Sequence, residues 1–292
     1  MAKKRFFATK INPTRFSWSQ WPFFAILIPF CVFMVLPIVY IFNHAFKPFD
    51  ELIEYPPRFF VKNPTFDNFI EFFKVSSISD IPVGRYIFNS LVITVVVCFL
   101  SIVVAAMTGY ALSKLRFKMK DVIFEINNIA LMFVGIAVTI PKYIITDAIG
   151  LTDTFWVHII PALAIPVGMF LIKQFIDQIP NDLIEAAKMD GATELKIFWT
   201  IILPLIKPAI ATVVMLSFQT VWNDAGTSST YVDNEGLKTF AYYVSTLSSS
   251  SNTVAAQGLS AVATLIMFLP NLIIFIILQG KVMSTMAHSG IK

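Results

Sequence analysis

The fold is decided by one polar stretch in an apolar chain, Glu185-Ala186-Ala187-Lys188-Met189-Asp190-Gly191, followed by Ile201-Ile202-Leu203-Pro204. Asp182 is a good helix N-cap, and Glu185 three residues later can complete a capping box. The two alanines favour a helix and leave a flat surface that another protein can approach closely. The first half of the stretch therefore predicts a short helix with an accessible face of small side chains.

The second half of the stretch predicts a turn and another helix. Gly191 suits the left-handed backbone position that commonly ends a helix. Thr193 is a good cap for a second helix, which the sequence predicts to run until Pro204. The whole segment 176–204 is thus expected to form a helix, a sharp turn and a second helix between two strongly apolar runs.

The composition indicates an integral membrane protein. Of the 292 residues, 57% are hydrophobic and 14% are charged, whereas soluble domains contain about 25% charged residues. The net charge of +4 is therefore no sign of nucleic-acid binding, and its placement along the chain matters more. Cys31 and Cys98 each lie inside an apolar run and are expected to be small packing residues.

Six apolar runs are each long enough to cross the ~30 Å hydrocarbon core, which predicts an all-α polytopic fold with six transmembrane helices. The predicted spans are 22–42, 86–112, 122–140, 155–175, 205–222 and 258–279. Pro141 is expected to end the third span, and Pro161 and Pro166 to bend the fourth. Pro270 and Asn271 are expected to interrupt the sixth.

The placement of basic residues predicts the orientation. With the N-terminus inside, the cytoplasmic segments hold fifteen Lys and Arg and the external segments hold seven. This excess predicts N-in and C-in termini, with 1–21 as a cytoplasmic basic tail and 22–292 as one transmembrane domain. The loops 43–85 and 223–257 are then external, and 176–204 is cytoplasmic. The first run is expected to be retained, since it is long and no small-residue cleavage site follows it.

Several function classes are poorly supported by the residues. The chain has no Walker A pattern, so it lacks that device for cradling ATP phosphates. Its three histidines are scattered, and no nucleophile–base set is apparent, which argues against an enzyme, a metal site or a cofactor. Ionisable residues are nearly absent from the spans, with Glu125 and Lys173 near span ends, which disfavours an ion-coupled secondary transporter. A path without buried charges suits a neutral or weakly charged solute.

The pattern Glu-Ala-Ala, three residues, Gly, nine residues, Ile-x-Leu-Pro resembles the signature loop of the inner-membrane permease subunits of bacterial ABC importers. In that family the loop is the cytoplasmic coupling helix, which sits in a cleft of the ATPase subunit. The resemblance therefore implies that ATPase coupling is carried by Glu185, Ala186, Ala187, Asp190 and Gly191.

A second group of matches is similar to carbohydrate-type permeases, and closest to the smaller permease of oligosaccharide importers such as the maltose system. It covers about 155–224 and includes the string Leu203-Pro204-Leu205-Ile206-Lys207-Pro208. It implies that the translocation path or external gate includes Phe218, Trp222, Asn223 and Asp224. By position alone, Trp222 fits an aromatic belt at the membrane interface equally well.

The segment 225–257 departs from any pattern of that family, which leaves the identity of the sugar open. It is polar and carries tyrosines, which offer amphipathic contact area with few rotatable bonds. Because it follows the outer end of the fifth span, it is expected to contact an external receptor. The expected contact residues are Tyr231, Tyr242 and Tyr243.

The resemblance also implies the partners and the location. These are a second, similar permease, an ATPase dimer that binds the ATP, an external or periplasmic solute-binding protein, a sugar or oligosaccharide and membrane lipid, in a bacterial inner or plasma membrane. No nucleic-acid partner and no cofactor of the chain's own are expected. The alternatives are an ABC permease for another solute, such as an amino acid or polyamine, and a stand-alone secondary transporter.

Overall fold

The computed structural model describes residues 20–78, 81–250 and 254–289, and within these ranges the chain is helical without a strand. The predicted basic tail lies almost entirely outside the described residues. In chain order, the α-helices are α1 (Trp21–Phe46), α2 (Phe49–Leu52), α3 (Asp67–Ile78), α4 (Val83–Lys114), α5 (Lys120–Met132), α6 (Thr139–Ala148), α7 (Pro166–Asp177), α8 (Asn181–Met189), α9 (Glu194–Ile197), α10 (Leu203–Leu205), α11 (Lys207–Trp222), α12 (Gly226–Tyr231), α13 (Phe240–Ser250) and α14 (Val254–Ser289).

Four segments of the described chain are long and apolar enough to cross a membrane, and the number rises to six if each of two bent pairs counts as one span. The four are α1, α4, the segment Phe155–Asp177 and Ala256–Gly280 within α14. The most apolar window of α1 has no buried residue, as expected for a helix that faces lipid. Composition and helix length thus place this protein in a membrane.

The third predicted span is broken. Its first half is α5, which ends at Met132, and its second half, Gly135–Ala148, contains α6 and meets α5 at 111°. The prediction that Pro141 ends this span is wrong. Pro141 lies in the first turn of α6, where its missing N–H has no partner to lose.

The fifth span bends just before α11. The segment Glu194–Leu205 meets α11 at 80°, after a wide turn of π-helix over Phe198–Ile202. The prediction that the second helix runs until Pro204 is close, because α10 ends at Leu205.

The fourth and sixth spans treat their prolines differently. The fourth starts as 3₁₀ turns at Phe155–His158 and Pro161–Leu163, and regular helix begins only at Pro166. The bend expected from Pro161 and Pro166 stays a prediction. In the sixth, α14 passes through Pro270 unbroken, and the predicted interruption is wrong. The side chain of Asn271, directly after the proline, donates a 3.3 Å hydrogen bond to the Met267 carbonyl.

The two segments expected as polar loops contain helices. The segment 43–85 includes α2 and α3, and the segment 223–257 includes α12 and α13. They are ordered because Tyr243 of α13 packs its ring against Phe72, Tyr86 and Phe240. This aromatic group belongs to one of two main cores, which lies at the end of the molecule where α3, α13 and α14 meet.

The other core joins α4, α7 and α11 to the segment that carries α8. Ala106, Ile172, Ile202 and Val213 are fully or almost fully buried there. Gly109 allows the close approach of α4 and α7, because a Cβ at this position would lie 2.7 Å from Ile172 Cγ2. The predicted coupling stretch therefore rests on a packed end of the helix bundle.

Candidate functional site

The helix α8 carries most of the predicted coupling residues. It begins at Asn181, directly after Pro180, and no side chain caps it. The predicted capping box is wrong, because Asp182 already lies in the first helical turn. A carboxylate there still stabilises the helix through its dipole.

One face of α8 is buried and the other is open. Ile184 is 6% exposed and packs into the core, and Ala187 is half-buried against the same core. Glu185, Ala186 and Asp190 are exposed. Met189 beside them is 89% exposed, so the outward face of α8 is accessible.

The turn after α8 has the predicted geometry. Gly191 has φ +77°, and its N–H donates a 3.0 Å hydrogen bond to the Lys188 carbonyl. A Cβ at Gly191 would meet nothing within 4 Å, so the glycine is required by its backbone angle alone. The predicted N-cap is also confirmed, since Thr193 Oγ1 accepts a hydrogen bond from the Lys196 N–H at 3.4 Å.

Side chains of α4 contact both the turn after α8 and the start of α8. The hydroxyl of Tyr110 donates to Glu194 Oε2 at 2.6 Å, and the other carboxylate oxygen lies 2.6 Å from Lys188 Nζ. Lys114 donates to the Ile179 carbonyl at 2.6 Å and to Asn181 Oδ1 at 2.9 Å. Sequence reasoning missed Tyr110, Lys114 and Glu194, because nothing local in the chain indicates contacts between residues so far apart.

At the C-terminal end of α11, Trp222 connects this helix to α14. It is 3% exposed, and its indole Nε1 donates a 2.9 Å hydrogen bond to the Met267 carbonyl of α14. Its ring stacks on Phe218 with centroids 5.8 Å apart. Asn223 and Asn271 pair through their side-chain amides, with N···O distances of 3.1 and 3.4 Å.

Asp224 takes part in a different contact. Its Oδ1 accepts a 3.0 Å hydrogen bond from the Thr227 N–H, and its Oδ2 accepts one from the Thr227 hydroxyl. Asp224 also lines a cavity of about 300 Å³ between the fourth span and α11, whereas Phe218, Trp222 and Asn223 do not line it. Of the four predicted path residues, Phe218, Trp222 and Asn223 therefore belong to a helix–helix contact, and Asp224 belongs to a cavity wall.

The three predicted receptor tyrosines are mostly packed into the molecule. Tyr231 is 7% exposed, with its ring stacked on Tyr143 at a centroid distance of 5.6 Å. Tyr242 accepts a 3.2 Å hydrogen bond from Lys238 Nζ, and Tyr243 belongs to the aromatic core. Burial opposes the charge of Lys238, but its hydrogen bonds to Glu235 and Tyr242 raise its pKa above the usual value. The open face of α13 consists of Ser245, Thr246, Ser248 and Ser249.

Within the described ranges, no group of three or more His, Cys, Asp or Glu side chains is placed to hold a metal ion.

The fold and sequence agree with one known family. Residues 99–280 match the family described as binding-protein-dependent transport system inner membrane component. This chain belongs to that family. Its members are membrane permease components and not enzymes, and this chain is such a component.

Named relatives extend the match over nearly the whole chain. The trehalose transport system permease protein SugB of Mycobacterium tuberculosis is 27% identical over 262 residues, covering 89% of this chain and 93% of the relative. The galactooligosaccharides permease GanQ of Bacillus subtilis is 29% identical, covering 89% and 91%. The arabinooligosaccharides permease AraQ of the same organism is 28% identical, covering 89% and 93%.

The fold also matches a solved structure. A chain of a bacterial ABC transporter involved in the import of the acidic polysaccharide alginate superposes with a TM-score of 0.80 at 21% sequence identity. The match covers 92% of this chain and 99% of the other. At this identity the likeness supports the fold of the permease.

Proposed function

We propose that this chain forms half of the translocation path of an ATP-driven importer and that its solute is a sugar or oligosaccharide. The observation that carries the solute class is the set of relatives named for trehalose, arabinooligosaccharides and galactooligosaccharides, each matched along about nine-tenths of both chains. The near absence of charged side chains within the spans agrees with a neutral solute. The partners would be a second permease, an ATPase dimer and an external binding protein.

The proposed orientation has both termini in the cytoplasm and six crossings. It rests on the excess of Lys and Arg in the segments assigned to the inside. Counting each bent pair as one crossing gives the same number of spans. A cysteine at Lys118 should then resist an impermeant thiol reagent in intact cells, whereas one at Lys62 should react, in a chain whose two native cysteines are replaced.

The proposed docking surface for the ATPase is the open face of α8 with the Gly191 turn. Its support is the exposure of Glu185, Ala186 and Met189 on a helix whose other face is anchored in a core. Anchoring matters because a rigid surface transmits a push from the ATPase to α4 and α11, whereas a loose loop would absorb it.

An uptake assay tests the solute class. Cells that express the complete transporter should accumulate at least one of trehalose, arabinotriose and galactobiose, and lose that uptake when this chain is deleted. Glutamine and spermidine serve as non-sugar controls. Uptake of glutamine or spermidine, with none of the three sugars imported, would contradict the sugar assignment and support a permease for another solute.

Co-purification tests the docking surface. Ala186→Trp is the sharper variant, since Ala186 is exposed whereas Ala187 is half-buried and a bulky residue there would also disturb the core. Ala186→Trp should reach the membrane but retain little ATPase. The matched control is Lys118→Trp, an exposed substitution on the same proposed face outside α8. Normal ATPase binding by Ala186→Trp would contradict the docking role.

A further inference from the structure

The cavity of about 300 Å³ beside Asp224 has the size of a small ligand site and a mixed lining. Its apolar wall comes from the irregular start of the fourth span, including Pro161 and Pro166, and from Val221 of α11. It exists because the fourth span is not regular helix over 159–165, so side chains there do not close against α11. Its polar lining residues are Lys142, His158, Ser217, Thr220, Asp224, Thr227 and Thr239.

One polar atom of this lining is left without a partner. His158 is 6% exposed, and its Nε2 is buried without a hydrogen bond. The Leu237 backbone lies beside the ring. With the proton of the neutral ring assigned to Nδ1, Nε2 is an acceptor. A buried acceptor without a donor is destabilising, and a ligand that supplies a donor would remove this penalty.

The hydroxyl groups of the lining have already donated their protons. Ser217 donates to the Val213 carbonyl at 2.8 Å, and Thr220 donates to the Leu216 carbonyl at 2.9 Å. Thr227 donates to the Asp224 carboxylate. These oxygens, the carboxylate and His158 Nε2 can therefore only accept, and an occupant has to bring several donors.

The charges of the lining favour an occupant without net charge. Lys142 and Asp224 contribute opposite charges to the same cavity. Lys142 lies 5.8 Å from the centre of the Tyr231 ring, an arrangement that holds its ammonium group near the cavity. A solute that is rich in hydroxyl groups supplies donors without charge, whereas a polyamine would bring its donors together with repulsion from Lys142.

We propose that this cavity is a subsite for a neutral, hydroxyl-rich solute, which donates hydrogen bonds to His158 Nε2 and to the Asp224 carboxylate. The inference rests on the proposed function and adds to it a location and two binding groups. In the proposed orientation the cavity lies near the outer end of α11, where a solute entering from outside would meet it. The described lining contains no Phe, Tyr or Trp side chain, which favours recognition by hydrogen bonds rather than by stacking.

Protection from thiol labelling tests occupancy. In an assembled transporter whose permease lacks Cys31 and Cys98, Thr220→Cys places a thiol on the cavity wall, and Ser229→Cys places one on exposed α12 outside the lining. Trehalose, arabinotriose and galactobiose are added separately. The sugar that the parent transporter imports should slow labelling of Thr220→Cys at least threefold and leave Ser229→Cys unchanged. Protection by spermidine instead would overturn the hydroxyl assignment.

Paired substitutions test the acceptor. His158→Gln keeps an acceptor in the cavity, whereas His158→Phe keeps a ring of similar shape without one. With that same sugar, His158→Phe should raise the uptake KM about fivefold to tenfold, and His158→Gln should restore most of the loss. Co-purification with the ATPase checks that both variants assemble. Equal KM values in parent and His158→Phe, or no protection of Thr220→Cys, would overturn the subsite. In that case, sugar uptake by the parent would still support the proposed function. If the parent imports no sugar, both proposals fail.

Discussion

The Tyr110 hydroxyl of α4 donates a 2.6 Å hydrogen bond to the Glu194 carboxylate, which directly follows the turn at the end of α8. Glu194 is also paired with Lys188, so one carboxylate joins the last turn of α8, the start of α9 and a membrane helix. In the proposed importer, this contact would make the docking surface and the inner end of α4 move together.

Replacing Tyr110 with Phe should weaken this connection without creating a cavity in the core. The lost hydrogen bond involves an ionised partner and contributes about 1–3 kcal/mol where it is shielded. We expect backbone amides of 190–197 to exchange hydrogen several-fold faster, and transport per ATP hydrolysed to fall. Hydrogen–deuterium exchange and an uptake-to-ATPase ratio measure the two effects.

The same helix provides a matched control. Tyr86 lies at the other end of α4 and donates a 3.1 Å hydrogen bond to Glu235. Tyr86→Phe should accelerate exchange around 233–240 and leave 190–197 unchanged, while Tyr110→Phe should do the reverse. If both variants altered both regions equally, the local connection would not exist.

Gly191 offers a test of backbone geometry alone. Because open space surrounds its missing Cβ, Gly191→Val should strain only the positive φ, at a cost of about 1–2 kcal/mol. We expect reduced ATPase association and faster proteolysis within 188–196. Gly191→Asn is the control, since Asn tolerates this conformation better, and it should retain most of the association. If both variants lost ATPase association equally, the loss would come from the added side chain and not from the backbone conformation of the turn.

The turn at Gly191 was largely predictable because its signals are local. Gly191 and Thr193 act on residues within a few positions of themselves, and both behave as their residue types require. The capping rule placed the N-cap at Asp182, two positions too far inside, because Pro180 already sets an extended backbone before the helix. Local chemistry thus placed the helix and the turn correctly and the cap incorrectly.

The break in the third span and the cavity beside Asp224 were less predictable, because they depend on the tertiary structure. Hydropathy treats 122–140 as one span, although its middle leaves the helix at 133–134, a break that apolar content does not record. Pro270 is typical of an interruption, yet α14 continues through it. Likewise, Trp222 and Asp224 are near neighbours in sequence, yet only the tertiary structure separates their roles.

The amide pair Asn223–Asn271 should contribute a measurable coupling between α11 and α14. Each side chain supplies both a donor and an acceptor to the other, so either single Ala variant removes the whole pair. In a double-mutant cycle of Asn223→Ala and Asn271→Ala, we expect a coupling energy of about 0.5–1 kcal/mol in detergent. Additive losses of stability would show that the pair contributes nothing.

Acid should loosen the segment that follows α2. The Lys62 N–H donates to the Glu51 carboxylate at 2.9 Å, and with the Asn63 N–H and nearby cations it lowers the pKa of Glu51. The folded pKa of Glu51 lies below the ordinary glutamate value of about 4.3. The stability that the ionised Glu51 contributes is therefore complete above the ordinary value, and it is lost as the pH falls through the folded pKa. Exchange of the Lys62 and Asn63 amides, corrected for intrinsic rates, should rise as the pH falls through the folded pKa of Glu51.

Glu51→Gln should give faster exchange of these amides at neutral pH as well, because a neutral amide is a weaker acceptor. Glu54→Gln is the control, since Glu54 pairs with Arg58 and leaves the Lys62 and Asn63 amides alone. Unchanged exchange in Glu51→Gln would assign the order of this segment to packing.

Contact with an external receptor is best tested by substitutions on the open face of α13. A deletion in α13 would be less specific, because it would also remove Tyr243 from the aromatic core. Ser245 and Ser249 are exposed one turn apart on this helix. Ser245→Arg together with Ser249→Arg should lower the ratio of receptor-stimulated to basal ATPase activity severalfold, through bulk and added charge. Asn63→Arg changes another exposed position on the same proposed side of the membrane and should leave the ratio near that of the parent. A parental ratio in the α13 double variant would mean that this face is a solvated surface and that the receptor binds elsewhere.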